Sequence, residues 1–162
     1  MVVPEVEEIA EGEPRAVVLE NARRKAAAAL VDAPTGAIVL GADTEVVVEG
    51  RVLGKAVDER EARSHLNTLS GRSHEVLGGI VLVEPVGPER AGVALSRVAF
   101  RQLDDDTLDL YLASGEWRDR AGAYAIQGLG SILVERMEGD FSNVVGLSVP
   151  LLLELAPELV SG

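Results

Sequence analysis

Leu40-Gly-Ala-Asp-Thr-Glu-Val-Val-Val-Glu-Gly-Arg-Val-Leu-Gly-Lys55 is the most informative stretch of this 162-residue chain. Glu45 to Val48 is β-branched and strand-like, Glu49-Gly50 is a turn, and Val52-Leu53 resumes the strand pattern, so the segment reads as a hairpin. Ile38 to Leu40 reads as a further strand run just before it. Asp43 then falls in Gly41-Ala-Asp-Thr44 at an expected strand end, where α/β proteins commonly place ligand-binding groups. Lys55 follows a hairpin's length later, which would bring both side chains to one cleft.

Outward from this hairpin, strands alternate with helices. Pro14 to Leu30 has an early proline and places Val18, Ala22, Ala26 and Ala29 on one face, with Asn21 and Lys25 on another stripe. Asp58 to Leu69 opens with Asp58 and Glu61 at capping-box spacing and ends at Ser70-Gly71. Ser73 to Val83 and Ala91 to Phe100 are strand-like on either side of Glu84-Pro-Val-Gly-Pro-Glu89, a turn. Asp104 starts a helix reaching Ala113, Ser131 to Glu138 is strand-like, and Val149 to Leu159 is expected as a final helix presenting Leu151, Leu152, Leu155 and Leu159 to the core. The alternation favours an α/β fold in one domain.

Thirteen arginines and two lysines supply the positive charge. A compact ammonium and a planar guanidinium are not interchangeable against a phosphate or carboxylate, so Lys25 and Lys55 are candidates for specific roles. The net charge of −12 opposes binding to duplex nucleic acid or anionic membranes, but not to one nucleotide through a metal ion. Absence of cysteine excludes thiolate zinc sites and cysteine nucleophiles. No basic leader with an apolar stretch opens the sequence, and Val144 to Leu153 is too short and interrupted to span a bilayer, so a cytoplasmic protein is expected.

Taken singly, the polar candidates stay open. Asp43 is a metal ligand or general base, or else a turn or capping aspartate. Lys55 neutralises a polyphosphate oxygen or sits exposed at a strand end, and Lys25 has the alternative of a solvated helix lysine. Glu7 and Glu8 are an acidic pair of the kind that usually faces solvent. In Gly122-Ala-Tyr-Ala-Ile-Gln-Gly-Leu-Gly130, Tyr124 and Ile126 point one way while the Gln127 amide reaches for a ligand, although the glycine spacing is that of neither a P-loop nor a dinucleotide fingerprint. His74 suits a structural hydrogen bond, His65 the surface, and Trp117 and Phe141 the core or a lid.

In chain order, Ala22-Arg-Arg-Lys-Ala26, Leu40-Gly-Ala-Asp-Thr44, Leu53-Gly-Lys55, Leu69-Ser-Gly-Arg-Ser-His-Glu-Val76, Tyr111-Leu-Ala-Ser-Gly115, Arg120-Ala-Gly-Ala-Tyr-Ala-Ile-Gln-Gly-Leu-Gly130 and Glu138-Gly-Asp-Phe-Ser-Asn-Val-Val-Gly-Leu147 resemble the Maf family of nucleoside triphosphate pyrophosphatases. The resemblance implies a mixed central sheet flanked by helices, two lobes with a cleft, a divalent cation (Mg2+ or Mn2+) and often a homodimer. It places Asp43, Lys55 and Gln127 as catalytic, Lys25, Thr44, Lys55 and Gln127 as substrate-binding, and Glu8 and Asp43 as metal-holding, with Glu7 in reserve should the alignment slip by one. Gly-Ala-Asp-Thr with Ile-Gln-Gly resembles the branch acting on dTTP, UTP and related pyrimidine nucleotides.

Family members normally open with Leu-Ala-Ser-x-Ser-Pro-Arg-Arg and a helix before the stretch matched by Val2 to Glu8. The resemblance therefore implies a domain over 1–162 that is N-terminally truncated and lacks the loop whose serine and arginine contact the phosphates. Two other readings follow from the same blocks: a nucleotide-binding or regulatory protein tied to septum formation without turnover, and a purine-specific enzyme.

Overall fold

The computed structural model describes residues 6–85 and 87–160. Helix α1 (Pro14–Leu30) is followed by strand β1 (Val39–Val48), β2 (Arg51–Leu53), helix α2 (Glu59–Leu69), β3 (Ser73–Val83), β4 (Arg90–Phe100) and α3 (Asp105–Ser114). A 3-10 segment (Gly128–Leu133) then leads into β5 (Val134–Glu138), α4 (Phe141–Val145), α5 (Val149–Leu155) and a short 3-10 turn (Pro157–Leu159). The five strands form one sheet in the order β2-β1-β3-β4-β5.

The expected α/β architecture is present, but the sheet is antiparallel in every pairing rather than mixed. β1–β2 and β3–β4 are joined by turns, which reverse the strand direction, while β1–β3 and β4–β5 pair across longer connections that carry α2 and α3. The β1–β2 reversal is a hairpin with Glu49 (φ 50°) and Gly50 (φ 76°) both left-handed, the twist-matched turn that such tight connections favour. Of the Glu84–Glu89 turn, Val86 lies outside the described residues.

Alternation along β1 assigns the two faces. Gly41, Asp43, Glu45 and Val47 pair with Val81, Gly79, Leu77 and Glu75 and face α1, whose Val18, Ala22 and Ala26 are fully buried against them. The approach is close enough that a Cβ on Gly79 would lie 2.6 Å from the Val18 carbonyl. Small residues on both elements let the helix backbone meet the strand backbone. The opposite face carries the main core, in which Val46, Val76, Val98 and Phe100 pack against Leu66 and Leu69 of α2 and Leu108, Tyr111 and Leu112 of α3. Burial of each such side chain contributes roughly 1.5–3 kcal/mol, so the sheet is fixed from both sides.

Several expectations change. Ile38–Leu40 and Glu45–Val48 are not separate runs: β1 is continuous, and Asp43 lies inside it rather than at its end. A small-residue Gly-Ala stretch continues the strand because β3 pairs with it from Val39 to Val47. The final helix stops at Leu155, since Pro157 removes a backbone donor, and Leu159 is exposed. Ser131–Leu133 belongs to the 3-10 segment, with strand geometry starting at Val134. Trp117 is buried as expected, whereas Phe141 is half exposed at the start of α4 and His65 is largely covered on α2. Among the described residues no helix is long and apolar enough to cross a membrane.

Candidate active site

Strand β2 covers only Val46, Val47 and Val48 of β1. Upstream of Val46 no strand among the described residues pairs with that side of β1, and there a cleft of about 260 Å³ forms. Its lining includes Lys25, Asp43, Thr44, Lys55, Arg120 and Gln127. Asp43 thus reaches a cleft from mid-strand because its neighbour strand ends early, an outcome that the hydrophobic pattern alone does not reveal.

Lys25, projecting from α1, donates to Asp43 Oδ1 at 2.5 Å and lies 2.8 Å from Glu8 Oε1. Lys55 reaches the same Glu8 carboxylate at 3.0 and 2.8 Å. Glu8 is steered there by buried Asn21, whose amide clasps Ile9 from both ends: Ile9 N donates to Oδ1 at 2.8 Å and Nδ2 donates to Ile9 O at 3.0 Å. Arg24 adds a bond to the Glu7 carbonyl at 2.8 Å. The structure therefore groups Glu8, Lys25, Asp43 and Lys55 directly, and the carboxylate at the lysines is that of Glu8, not Glu7.

Thr44 faces the other side of the sheet from Asp43 but lines the same cleft, and with Glu8 and Lys55 it also lines an adjoining pocket. Gln127 precedes the 3-10 segment at the cleft wall and is exposed. Its backbone surroundings are anchored by Glu116, whose carboxylate accepts from Leu129 N and Gly130 N, each at 3.2 Å. Tyr111 Oη accepts from Ala125 N at 3.1 Å, and Tyr124 Oη pairs with His74 Nε2 at 2.8 Å inside an edge-to-face cluster with Phe100. His74 is thus the structural hydrogen-bonder the sequence suggests.

Burial dominates the electrostatics. It pushes the Asp43 carboxyl above its ordinary value, against the opposing pull of Lys25. Burial also raises Glu8, but hydrogen bonds and charge from Lys25 and Lys55 outweigh it and hold the carboxyl low. Lys25 is lowered by burial and raised more strongly by Asp43 and Glu8, so it stays charged. Glu45, two residues beyond Asp43 on the same face, is pushed up to about 7 by burial and then by the charges of Asp43 and Glu8.

Glu45 is a site residue that the sequence motifs do not single out, and Asn21 stands out in the sequence only for sharing a stripe with Lys25. The period of two in a strand and the four-residue spacing of Asn21 and Lys25 on α1 were the available signals.

A pH dependence follows. Between pH 4.5 and about 7 the folded chain keeps a proton on Glu45 that the unfolded chain has released, so this group's contribution to stability falls as pH rises. His74 acts oppositely: burial lowers it from 6.5 to about 4, so its contribution is lost as pH falls through that window. The stability difference between the parent and Glu45→Gln isolates the first effect. In chelator-treated protein that difference should decline by about 3 kcal/mol from pH 4.5 to above 7, as read by urea unfolding; parallel curves would show that Glu45 is not perturbed.

Among the described residues no group of three or more His, Cys, Asp or Glu is arranged to hold a metal ion. Two carboxylates do suit one. Asp43 Oδ2 is buried without a hydrogen-bond partner, and Asp43 and Glu8 share Lys25 as a common neighbour. Mg2+ typically takes one or two carboxylates and completes its shell with water and phosphate oxygens.

Comparison with known sequences agrees with the motif order. The sequence pattern of the Maf family, described as "Maf-like protein", matches residues 1–159. A dTTP/UTP pyrophosphatase of Pyrococcus furiosus is 42% identical over 150 residues, covering 92% of this chain and 77% of that protein. Proteins of the same name from Caldanaerobacter subterraneus subsp. tengcongensis and Dictyoglomus thermophilum are 44% identical over 153 residues and 41% over 163, covering 93% and 98% of this chain and 74% and 84% of theirs. The chain belongs to the Maf family.

Proposed function

We propose that this protein hydrolyses dTTP, UTP and related pyrimidine or modified nucleoside triphosphates to the monophosphate and pyrophosphate. The observation that carries the reading is the Asp43 carboxylate: one oxygen is held by Lys25, and the other is buried and unpartnered at the cleft. The names of the relatives supply the substrate class.

In this reading Asp43 takes the proton of a water attacking the α-phosphorus, and burial, by raising its basicity, suits it to that task. The bond between the α-phosphorus and the bridging oxygen breaks, and pyrophosphate leaves with the bond's electron pair. Lys25 holds the carboxylate in one orientation, while Lys55 offers an ammonium to the charge that develops on the phosphate chain. Phosphate oxygens compete with Glu8 for both lysines and thereby free its carboxylate. The Thr44 hydroxyl and the Gln127 amide provide uncharged contacts to substrate. Glu8 and Asp43 would hold a divalent cation, Mg2+ or Mn2+, which supplies charge neutralisation to the polyphosphate when bound.

The chain would work in the cytoplasm as one domain over 1–162 and as a homodimer. A panel assay tests the substrate class. Pyrophosphate release from dTTP and UTP should exceed that from ITP and GTP by at least tenfold and vanish with chelator; turnover confined to purines would sink the assignment.

A further inference from the structure

We propose that Arg120 is a phosphate-contacting residue of the cleft that grips the outer part of the triphosphate and the departing pyrophosphate; this inference rests on the pyrophosphatase reading above. Arg120 lines the cleft with Lys25 and Lys55. Those two cations are already engaged, Lys25 with Asp43 and Glu8 and Lys55 with Glu8. Arg120 makes no ion pair or side-chain hydrogen bond among the described residues, and its charge acts on the Tyr111 phenol. Glu8, Asp43 and Glu45 set three carboxyl groups against two ammoniums. A substrate must compete with Glu8 and Asp43 for the two lysines, whereas the Arg120 guanidinium has no carboxylate to give up among the described residues.

The backbone around Arg120 is built rather than loose. Asp119 (φ 57°) and Ala123 (φ 58°) are left-handed without being glycine, and with Gly122 (φ 65°) they bracket the residue. Such conformations cost about 1–3 kcal/mol each and persist only where surrounding contacts impose them. The contacts are present: Gly122 N donates to Leu53 O at 2.8 Å and Gly54 O at 3.1 Å, and Ala121 forms a β-bridge with Lys55. A Cβ on Gly122 would press on the Val46 side chain at 2.9 Å. The strand that delivers Lys55 and the turn that delivers Arg120 are thus stitched together, and the cationic wall runs from Lys25 through Lys55 to Arg120. A polyphosphate laid with its α-phosphorus at Asp43 follows that wall outwards. The guanidinium presents a planar fork of donors that meets two phosphate oxygens at once, which an ammonium cannot do.

The test is steady-state kinetics with dTTP together with calorimetric binding of inorganic pyrophosphate, on the parent, Arg120→Gln, Arg120→Lys and Arg118→Gln. Arg118 stacks over the Trp117 ring at 4.8 Å and is the neighbouring control. Arg120→Gln should raise KM and weaken pyrophosphate binding by about tenfold each, the loss expected for one charge-assisted contact, with kcat within about threefold and the melting temperature unchanged. Arg120→Lys should fall between, and Arg118→Gln should match the parent. KM and pyrophosphate affinity within twofold of the parent in Arg120→Gln would overturn the proposal, as would a fall in kcat alone or an equal loss in Arg118→Gln. A parent protein that releases no pyrophosphate would instead defeat the pyrophosphatase reading itself.

Discussion

Asp43→Asn is expected to lower pyrophosphate release from dTTP by about 10³-fold, within the range assigned to loss of a positioned base. The substitution is nearly isosteric, and its carbonyl oxygen can still accept from Lys25, which now donates to Asp43 Oδ1 at 2.5 Å. In the proposed mechanism it removes the proton acceptor and one negative ligand for a cation at once. Lys25 keeps Glu8 as a counter-ion at 2.8 Å, so the helix that carries it should stay seated and the melting temperature should move little. The loss should therefore appear in kcat and not in folding. A variant that retains more than a tenth of the parent rate would remove Asp43 from the chemistry.

Gly41→Ala should be as damaging to the fold as Asp43→Asn is to the rate. A Cβ there would lie 2.1 Å from the Ala22 carbonyl oxygen and 2.7 Å from Ala26 N, both backbone atoms of α1. Neither can rotate away, so the whole helix must shift off β1. The cost is expected at about 3 kcal/mol or more, which for a chain of this size lowers the melting temperature by roughly 6–12 °C. Because α1 also carries Lys25 and Asn21, pyrophosphate release should fall in the part that remains folded. Gly54→Ala is the contrasting change: a Cβ on Gly54 would meet nothing within 4 Å, and stability should stay within about 0.5 kcal/mol. Equal thermal stability of the two variants would contradict the close α1–β1 approach.

Much of this arrangement is legible before any coordinates. The helix over Pro14–Leu30, the strand over Ser73–Val83 and the Glu49-Gly50 reversal follow from proline position, β-branched runs and turn residues, all local signals. Lys25 and Lys55 stand out because lysine is scarce, and both prove to lie within 3 Å of Glu8. The place of Asp43 inside β1 is not local: Gly41 and Ala42 look like a break until β3 is seen to pair along them. Antiparallel pairing throughout the sheet has the same origin, since strand direction depends on which runs become neighbours. The Asn21–Ile9 clasp joins residues twelve apart through a side chain, and no periodicity announces it. Glu45 was within reach, two residues after Asp43 on one strand face, but its high pKa arises only from tertiary burial beside Asp43 and Glu8.

The most direct measurement is product identification by phosphorus NMR after incubation of the purified protein with dTTP and Mg2+. The account predicts dTMP and pyrophosphate in equal amounts, with no dTDP or orthophosphate. Formation of dTDP and orthophosphate, or recovery of intact dTTP under conditions where the protein is folded, would contradict attack of a water at the α-phosphorus with Asp43 as its base.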